Sequence, residues 1–330
     1  MTKGHKGIIR NNKKIRLIFN KKSMERDNKA YSEKVIAGLT EACSNGEDIR
    51  VDLHTHSAVS DGRYSPADLV ALAAEKKVKL LALTDHDTYN GISEAAEAAA
   101  RQQIHLAAGT EISSIWRGRE IHVVGLSFDL KSEEMAGLIR RQSELRDERA
   151  RAIGARLEKC GITDAYARTR AMIGEDAAMT RGSYASFLCS IGVAETEGKC
   201  FAAYLAENKK AYVKPQWTPI EEVTECILKA GGIPVLAHPR CYDLNNKWLR
   251  MLITDFKNAG GEAMETAGNV QSPADRAFLA DLSVEYGLYA SCGSDFHKEC
   301  VHTSIGNCRF LGLAQKTRPV WSHEKFRLEI

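Results

Sequence analysis

The sequence predicts an α/β fold in which strand–helix units enclose a parallel sheet and a helical subdomain interrupts the chain. Short apolar runs such as LLALTDHD (80–87) alternate with amphipathic segments, which is typical of βα units. The alternation stops after Leu130 and resumes near Pro219. At 330 residues, the chain has the length for one large domain with an elaboration, or for two domains.

The predicted elements of the first half are short and regularly spaced. In order, they are a strand at 49–54, a helix with Ser65 as N-cap and Pro66 at its first position, a strand at 80–87, a helix at 92–101, and strands at 105–113 and 120–128. We interpret this half as βα units around a parallel sheet.

The middle of the chain has a different pattern. Residues 132–160 predict one long amphipathic helix that ends at Gly161, and helical segments continue to about Asn208. The alternation then returns as a helix from Pro219, a strand at 233–239, a helix at 247–258, a strand at 263–268, a helix at 272–286 and a strand at 289–297. The predicted core is therefore split in sequence.

These patterns divide the chain into three parts. We predict a basic N-terminal extension at 1–48, disordered at least to about residue 30, because ten Lys and Arg residues stand against two acidic residues before that point. The strand–helix core is predicted at 49–130 and 209–330. A helical insertion subdomain is predicted at 131–208.

Bulk composition restricts the class of protein. The net charge of +3 excludes a strongly basic nucleic-acid binder but leaves a local basic patch open. Nine cysteines without a CxxC pair argue against a disulfide framework or a zinc knuckle. Because the chain has no apolar run of transmembrane length and no signal-peptide core, we expect a cytoplasmic protein without membrane association. No obligate protein partner is indicated.

The stretch VDLHTHSAVSDG (51–62) indicates a metal site. His54 and His56 lie two apart in a predicted strand, so both imidazoles project from the same face. Asp61 follows in a Ser-Asp-Gly turn, where the chain can fold back and bring a carboxylate beside them. Two unrelated histidines near a loop are the alternative reading of this stretch alone.

The ends of the other predicted strands repeat this chemistry. Six of the ten histidines and three carboxylates lie there: His54, His56, Asp61, His86, Glu111, His122, His238, Asp295 and His297. In a β/α barrel, the rim formed by strand ends is where active sites are assembled. Because one ion takes three or four protein ligands, nine candidates imply two or three divalent ions.

The type of ligand limits the metal and suggests the reaction. Nitrogen and oxygen donors without cysteine suit Mn, Fe, Zn or Mg, and we expect Mn. Paired ions can activate a bridging water and clamp a phosphoryl group, so we expect metal-assisted hydrolysis of phosphate esters.

The motifs HTHSAVSDG, TDHD, GTEIS, IHVVG, AHP and GSDFH, in this order, resemble those of the PHP (polymerase and histidinol phosphatase) superfamily, over residues 49–310. The resemblance implies a distorted (β/α)7 TIM-like barrel with a trinuclear site at its C-terminal rim. It implies that Glu111 bridges ions and that the other eight residues divide into three groups. These are His54, His56 and Asp295; Asp61, His86 and His297; and His122 with His238.

Further stretches are similar to the RNase AM group, which are 5′-3′ exoribonucleases that also act as 3′,5′-nucleoside bisphosphate phosphatases. They are MTRGSYASFL (179–188), AYVKPQW (211–217), HPRCY and METAGNVQSP. The match is incomplete, because Ser183 and Ser186 stand where the group usually has a His and a second Arg. Substrate-phosphate contacts are therefore less firmly implied than the metal ligands.

Arg181 is the main candidate for a substrate contact. It stands near the predicted start of a helix, where free N–H groups and a guanidinium can hold a phosphate. The alternative is a simple ion pair with Glu175 or Asp176. Lys210, Lys214 and Arg240 are further candidates for phosphate contacts, with solvated surface charge as the alternative. Trp217 and Tyr212 either stack on a base or pack the insertion against the barrel.

The sequence thus predicts a metal-dependent phosphoesterase that acts on RNA 5′ ends, short oligonucleotides and 3′,5′-nucleoside bisphosphates. We expect hydroxide activated by the ions to attack phosphorus directly, with Asp61, His86, Glu111, Asp295 and Arg181 in the catalytic set. Asp87 and metal-bound water are candidates for the general acid. The alternatives are a small-metabolite phosphatase, such as one for histidinol phosphate, and a noncatalytic PHP module in a nucleic-acid machine.

Overall fold

The computed structural model describes residues 30–47, 49–268, 271–300, 303–306 and 317–329. The described strands are β1 (Arg50–Asp52), β2 (Val78–Leu83), β3 (His105–Trp116), β4 (Arg119–Leu126), β5 (Ile233–Leu236), β6 (Ala263–Ala267) and β7 (Tyr289–Cys292). They form one seven-stranded sheet in sequential order. The predicted α/β class is confirmed.

One strand breaks the predicted parallel arrangement. β4 is antiparallel to both β3 and β5, whereas the other neighbouring pairs are parallel. The turn between β3 and β4 contains only Arg117 and Gly118, with φ of +47° and +77°. Two residues can join antiparallel strands but cannot make a crossover, so the expectation of a wholly parallel sheet was wrong here.

The ends of the sheet meet. The Leu53 amide donates to the Cys292 carbonyl (3.0 Å), and the Asp295 amide donates to the His54 carbonyl (2.9 Å). These bonds join the residues that follow β1 to those around the end of β7. All seven strands contribute apolar side chains to one buried cluster, which also includes Trp321 and Phe326 from the C-terminal segment. The enclosed core therefore fixes the strand ends relative to one another.

The helices outside the sheet begin and end close to the predicted positions. They are α2 (Pro66–Glu75), α3 (Ile92–Gln102), α8 (Ile220–Lys229), α9 (Asn246–Asn258) and α10 (Pro273–Glu285), with a short 3-10 helix at Val320–Ser322. Ser65 caps α2 by accepting a hydrogen bond from the Asp68 amide (3.1 Å), as its Ser-Pro sequence predicts. Two apolar clusters lie between these helices and the sheet.

In the described chain, the segment between β4 and α8 forms helices and loops but no named strand. The helices are α4 (Glu133–Glu158), α5 (Ala165–Ile173), α6 (Arg181–Ser190), α7 (Glu197–Cys200) and a π-helix at Phe201–Leu205. Their apolar faces form a separate core that includes Ile153, Leu157, Tyr184 and Leu188. The boundaries predicted for the insertion at 131–208 stay a prediction.

The structure describes the N-terminal region from residue 30 onwards. The predicted disorder of the basic arm concerns residues outside the described part of the chain. Residues 30–44 form helix α1, and Val35, Ile36 and Leu39 pack against the enclosed core. Among the described helices, none combines the length and apolar character needed to cross a membrane.

Candidate metal centre and substrate cavity

The nine predicted ligands meet at one rim of the barrel. His54 and His56 follow β1, His86 follows β2, and Glu111 lies within β3. His122 lies near the start of β4 rather than its end. Because β4 runs in the opposite direction, this places His122 at the same rim. The remaining four lie in the loops after β1, β5 and β7: Asp61, His238, Asp295 and His297.

Two glycines allow the loops to approach this closely. A Cβ on Gly293 would stand 2.2 Å from the His54 Cβ, and a Cβ on Gly62 would stand 2.2 Å from the His56 carbonyl oxygen. Both distances are far inside van der Waals contact, so any larger residue would push the rim apart. His238 and Asp295 also have positive φ values (+26° and +52°), as occurs where function fixes a strained backbone.

Glu111 is the centre of the cluster. Its Oε1 atom lies 2.8 Å from His122 Nδ1 and 2.8 Å from His238 Nε2. Its Oε2 atom lies 3.0 Å from the His86 Nδ1 atom and 3.2 Å from the Nε2 atoms of His54 and His56. One fully buried carboxylate thus has an imidazole nitrogen of five different residues within 3.2 Å.

The donor atoms separate into three groups that share members. Asp295 joins His54, His56 and Glu111, with its Oδ1 atom 3.2 Å from His56 Nε2. A second group contains His56, Asp61, His86 and His297, and a third contains His86, Glu111 and His122. The structure also brings His238 to the carboxylate of Glu111. The assignment of these residues as ligands stays a prediction.

The unpaired atoms of the cluster fit divalent cations. Five buried atoms lack a hydrogen-bond partner among the described residues: His56 Nδ1, Asp61 Oδ1, His86 Nδ1, Glu111 Oε2 and His238 Nδ1. His86 Nδ1 and Glu111 Oε2 lie 3.0 Å apart without hydrogen-bond geometry. Buried polar atoms without partners are costly, whereas donor atoms at this spacing can share an ion. The set of nitrogen and oxygen donors suits divalent metals.

The charges of the cluster shift its protonation. Although burial favours the neutral acid, the imidazoles of His54 and His86 hold the pKa of Glu111 well below its usual range. Burial lowers the pKa of His86 to about 3. Against the effect of burial, Asp61 and Asp295 raise the pKa of His297 to about 10. A cation at this site would therefore compete with the proton that His297 holds at neutral pH.

Glu265 in β6 is an acidic residue beside the cluster that was not predicted from the sequence. Its Oε1 atom lies 2.6 Å from His54 Nδ1, and its Oε2 atom accepts from the His238 amide (2.7 Å). Such carboxylates orient a ligating histidine, and an acid within an apolar strand was the available signal.

Asp87 is bound to protein groups at both carboxylate oxygens. Ser113 and Gln142 donate to Oδ1 (2.8 and 3.1 Å), and the Arg146 guanidinium pairs with Oδ2. The side chain is buried in this ion pair. Its candidacy as general acid is therefore not supported by the structure.

A cavity of about 1010 Å³ opens between the rim and helices α4, α6 and α7. Asp61, His86, His122, Asp295 and His297 line one side of it. Arg146, Arg149 and Arg181 line the side formed by the helices, with Glu120 between them. The cavity thus joins the candidate metal centre to a basic wall.

Glu120 organises the basic wall. Its Oε2 atom accepts from Arg181 Nη2 (3.0 Å), and its Oε1 atom accepts from Arg149 (2.9 Å) and the Trp217 indole (2.6 Å). Although burial opposes ionisation, Arg149 and Arg181 lower the pKa of Glu120 to about 2. Arg181 pairs with this acid, and neither Glu175 nor Asp176 is its partner. Glu120 and Arg149 were not predicted as site residues, because they carry no local motif.

The Arg149 guanidinium uses two of its three nitrogens in hydrogen bonds to the protein. Its Nε atom donates to the Val213 carbonyl (3.1 Å), and Nη1 donates to Glu120. Its Nη2 atom is buried without a partner among the described residues. A guanidinium with a free donor beside a cavity suits an anion.

The other predicted substrate contacts lie elsewhere. Lys210 and Lys214 are exposed, and neither they nor Arg240 line the cavity. Arg240 pairs with Asp275 (3.0 Å). Trp217 is buried against Arg146 and Arg149, which is the packing alternative rather than base stacking. The roles of Lys210, Lys214 and Arg240 in substrate binding stay predictions.

Known proteins are similar to this chain in sequence and in fold. A family model described as PHP domain matches residues 52–229. The chain is 44% identical over 277 residues to a 5′-3′ exoribonuclease of Haemophilus influenzae, covering 84% of this chain and 99% of that protein. It is 36% identical over 284 residues to a 3′,5′-nucleoside bisphosphate phosphatase of Chromobacterium violaceum, covering 84% and 97% of the two chains.

A solved structure supports the same relationship. An amidohydrolase from Chromobacterium violaceum with bound sulfate aligns with a TM-score of 0.77 at 37% identity, covering 82% of this chain and 94% of that one. The chain belongs to the PHP domain family. The predicted superfamily is therefore confirmed.

Proposed function

We propose that this chain is a metal-dependent phosphoesterase that removes nucleotides from RNA 5′ ends and hydrolyses nucleoside 3′,5′-bisphosphates. The central observation is the shared position of Glu111 among five imidazoles, at the edge of a cavity with an arginine wall. The names of the relatives, an exoribonuclease and a bisphosphate phosphatase, support the same substrates.

The nine rim residues would hold two or three divalent ions, with Mn expected first and Fe, Zn or Mg as alternatives. Bound ions would lower the pKa of a coordinated water and offset negative charge on the phosphoryl oxygens. The protein fixes the donors: Glu265 orients His54, and Thr180 donates to Asp61 Oδ2 (2.7 Å). These contacts hold the side chains in place before substrate binds.

The arginine wall would bind the phosphate that is not being hydrolysed. Arg181 is the first residue of α6, and it lines the cavity together with Gly182 and Ser183 from the first turn of that helix. Arg149 adds its free Nη2 donor. When a phosphate arrives, it would replace Glu120 as the partner of these cations. Recognition of a terminal phosphate would then give the enzyme a preference for a 5′-phosphorylated end.

The decisive experiment compares four substrates at fixed Mn²⁺. They are a 5′-phosphorylated RNA hexamer, the same hexamer with a 5′-hydroxyl, adenosine 3′,5′-bisphosphate and histidinol phosphate. We expect turnover of the first and third, and weak turnover of the others. Fast hydrolysis of histidinol phosphate alone would instead identify a small-metabolite phosphatase.

Two variants connect the substrates to the site. Asp295→Ala should abolish hydrolysis of every substrate, because it removes a donor from the group that contains His54, His56 and Glu111. Arg181→Ala should reduce the preference for the 5′-phosphate by about 10- to 100-fold. Arg168→Ala is the matched control, since Arg168 lies over Phe187 in the same helical region but does not line the cavity. Normal turnover by Asp295→Ala would contradict the proposed mechanism.

A further inference from the structure

An aromatic surface lies beside the candidate active site, on α9 and the tip of the β3–β4 hairpin. Trp248 in the first turn of α9 is 36% exposed. Its ring meets the buried Trp116 ring edge-on at 5.8 Å, and the Arg119 guanidinium lies 5.6 Å from the Trp248 ring centre. We call Trp116, Arg119 and Trp248 the Trp248 platform.

The platform is held rigidly from below. The Trp116 indole donates to Asp255 Oδ2 (2.8 Å), and Arg117 pairs with the same carboxylate at 3.1 Å. The tight Arg117–Gly118 turn fixes the strand that carries Arg119. A fixed aromatic face loses little conformational entropy when a flat ring stacks on it.

The surroundings of the platform are basic. Arg117 and Arg119 in the hairpin and Lys247 in α9 are exposed, and Lys214 Nζ lies 3.9 Å from the position that a Cβ on Gly118 would take. The acids beside Trp116 and Arg117 are Glu221 and Asp255. Asp255 is already compensated by Arg117. No carboxylate in the described ranges pairs with the Arg119 guanidinium, whose recorded contact is the Trp248 ring. Exposed cations beside an exposed aromatic ring match the backbone and the bases of single-stranded nucleic acid.

The platform is also close to the candidate metal centre. Arg119 and His122 lie three residues apart on β4, which corresponds to about 10 Å along a strand, and their side chains project from opposite faces of the hairpin. The His122 amide donates to the Tyr242 hydroxyl (2.9 Å), and Tyr242 precedes α9. A chain that leaves the centre past His122 and turns around the edge of β4 near Tyr242 reaches the opposite face, and Trp248, within a few nucleotides.

We propose that the Trp248 platform binds the body of a single-stranded RNA whose 5′ end lies at the metal centre. A base a few nucleotides from the 5′ end stacks on Trp248, while Arg119 neutralises an adjoining phosphate. This inference rests on the proposed function, because it assigns the path of that substrate beyond the reacting nucleotide. Short substrates end before the platform and do not use it.

The test measures how binding depends on RNA length. Kd and KM are determined for 5′-phosphorylated oligoribonucleotides of two and eight nucleotides and for adenosine 3′,5′-bisphosphate. Trp248→Ala should raise Kd and KM for the octamer about tenfold, or ~1.4 kcal/mol, and should leave kcat and both short substrates unchanged. Trp248→Phe should restore most of the octamer affinity. Arg119→Ala should lower the salt dependence of octamer binding by about one phosphate contact.

Tyr31→Ala is the matched control. Tyr31 is an exposed aromatic residue, 48% accessible, whose ring lies 6.0 Å from that of His105 at the opposite end of β3. An unchanged octamer Kd in Trp248→Ala, or an equal loss for the dinucleotide, would overturn the platform. If the wild type binds the octamer in a Trp248-dependent manner but does not cleave it, the platform stands and the proposed function fails.

Discussion

The candidate metal centre and the arginine wall face each other across one cavity, but they satisfy their polar groups in opposite ways. At the rim, five buried nitrogen and oxygen atoms have no hydrogen-bond partner among the described residues. In the wall, both oxygens of Glu120 accept hydrogen bonds from Arg149, Arg181 and Trp217. The rim thus leaves buried oxygens and nitrogens that suit added cations, whereas the wall pairs its one acid and keeps only Arg149 Nη2 without a partner among the described residues.

The rim and the wall are held in place by different parts of the fold. Strand ends and short loops build the rim, so its geometry is set by backbone hydrogen bonds and the enclosed core. Helices of the middle segment build the wall, and their position depends on their own core and on contacts with Glu120. Loss of one rim donor should therefore affect chemistry, whereas changes in the helices should affect substrate preference or stability.

The largest expected effect concerns the centre of the rim. Glu111→Gln keeps the shape of the side chain and a carbonyl oxygen for His122 and His238, but it removes the shared negative charge. We expect kcat/KM on 5′-phosphorylated RNA to fall by at least about a thousandfold, with loss of bound Mn²⁺. Metal per chain is measured by elemental analysis after gel filtration, beside the activity assay.

Glu262→Gln is the control for that change. Glu262 pairs with Lys325 (2.7 Å) at the opposite end of the barrel. This variant should keep its metal content and its rate. A Glu111→Gln protein with full metal occupancy and activity would show that the Glu111 carboxylate does not hold the cations.

An intermediate effect is expected where the helices touch the rim. Thr180 caps α6 through the Ser183 amide (3.1 Å) and donates to Asp61 (2.7 Å). Thr180→Ala should lower the free energy of unfolding by ~1 kcal/mol and reduce kcat/KM by about 10- to 100-fold. Thr180→Ser should preserve both properties. Chemical unfolding and steady-state kinetics measure the two effects.

Thr196→Ala separates capping from catalysis. Thr196 caps α7 through the Lys199 amide (3.2 Å), in the same helical region but without contact to a predicted ligand. It should cost stability alone. If both alanine variants lose activity equally, the hydrogen bond to Asp61 has no special role.

The smallest effect is expected within the helices, far from the rim. Burial opposes ionisation of Asp147, but hydrogen bonds from Tyr166 and Arg151 lower its pKa. A lowered carboxyl pKa stabilises the fold above the unfolded value of about 4, and this contribution is lost as the pH falls through the folded value. Because Asp147 is 37% exposed, Asp147→Asn should cost less than ~1 kcal/mol at pH 7 and less still near pH 3.

Urea unfolding at the two pH values measures this difference, and activity at pH 7 should not change. Glu144→Gln, at an exposed position on the same helix, is the control. A stability loss that is equal at both pH values would assign the effect to packing instead of charge.

Much of the barrel follows from the sequence because its signals are local. The Ser65–Pro66 start of α2 and the alternation of strands and helices depend on neighbouring residues. The direction of β4 was also accessible, since the connection after β3 is too short for a crossover helix. The sequence analysis missed that signal and expected a parallel strand.

The wall and the Trp248 platform could not be derived in this way. Glu120 and Arg149 lie 29 positions apart, and Trp116 and Trp248 lie more than a hundred apart. No short-range pattern pairs them. Their contacts depend on how the middle helices and α9 pack against the β3–β4 hairpin.

The sequence by itself determined the chemistry available to this protein. Short motifs supply the histidines and carboxylates, and the periodicity of apolar residues in strands and helices places them at strand ends. Only the tertiary structure decided which of these groups share a carboxylate, which arginines face the cavity and which way β4 runs. The physical reason is that secondary structure depends on residues a few positions apart. Packing and electrostatic pairing, in contrast, join positions at any separation along the chain.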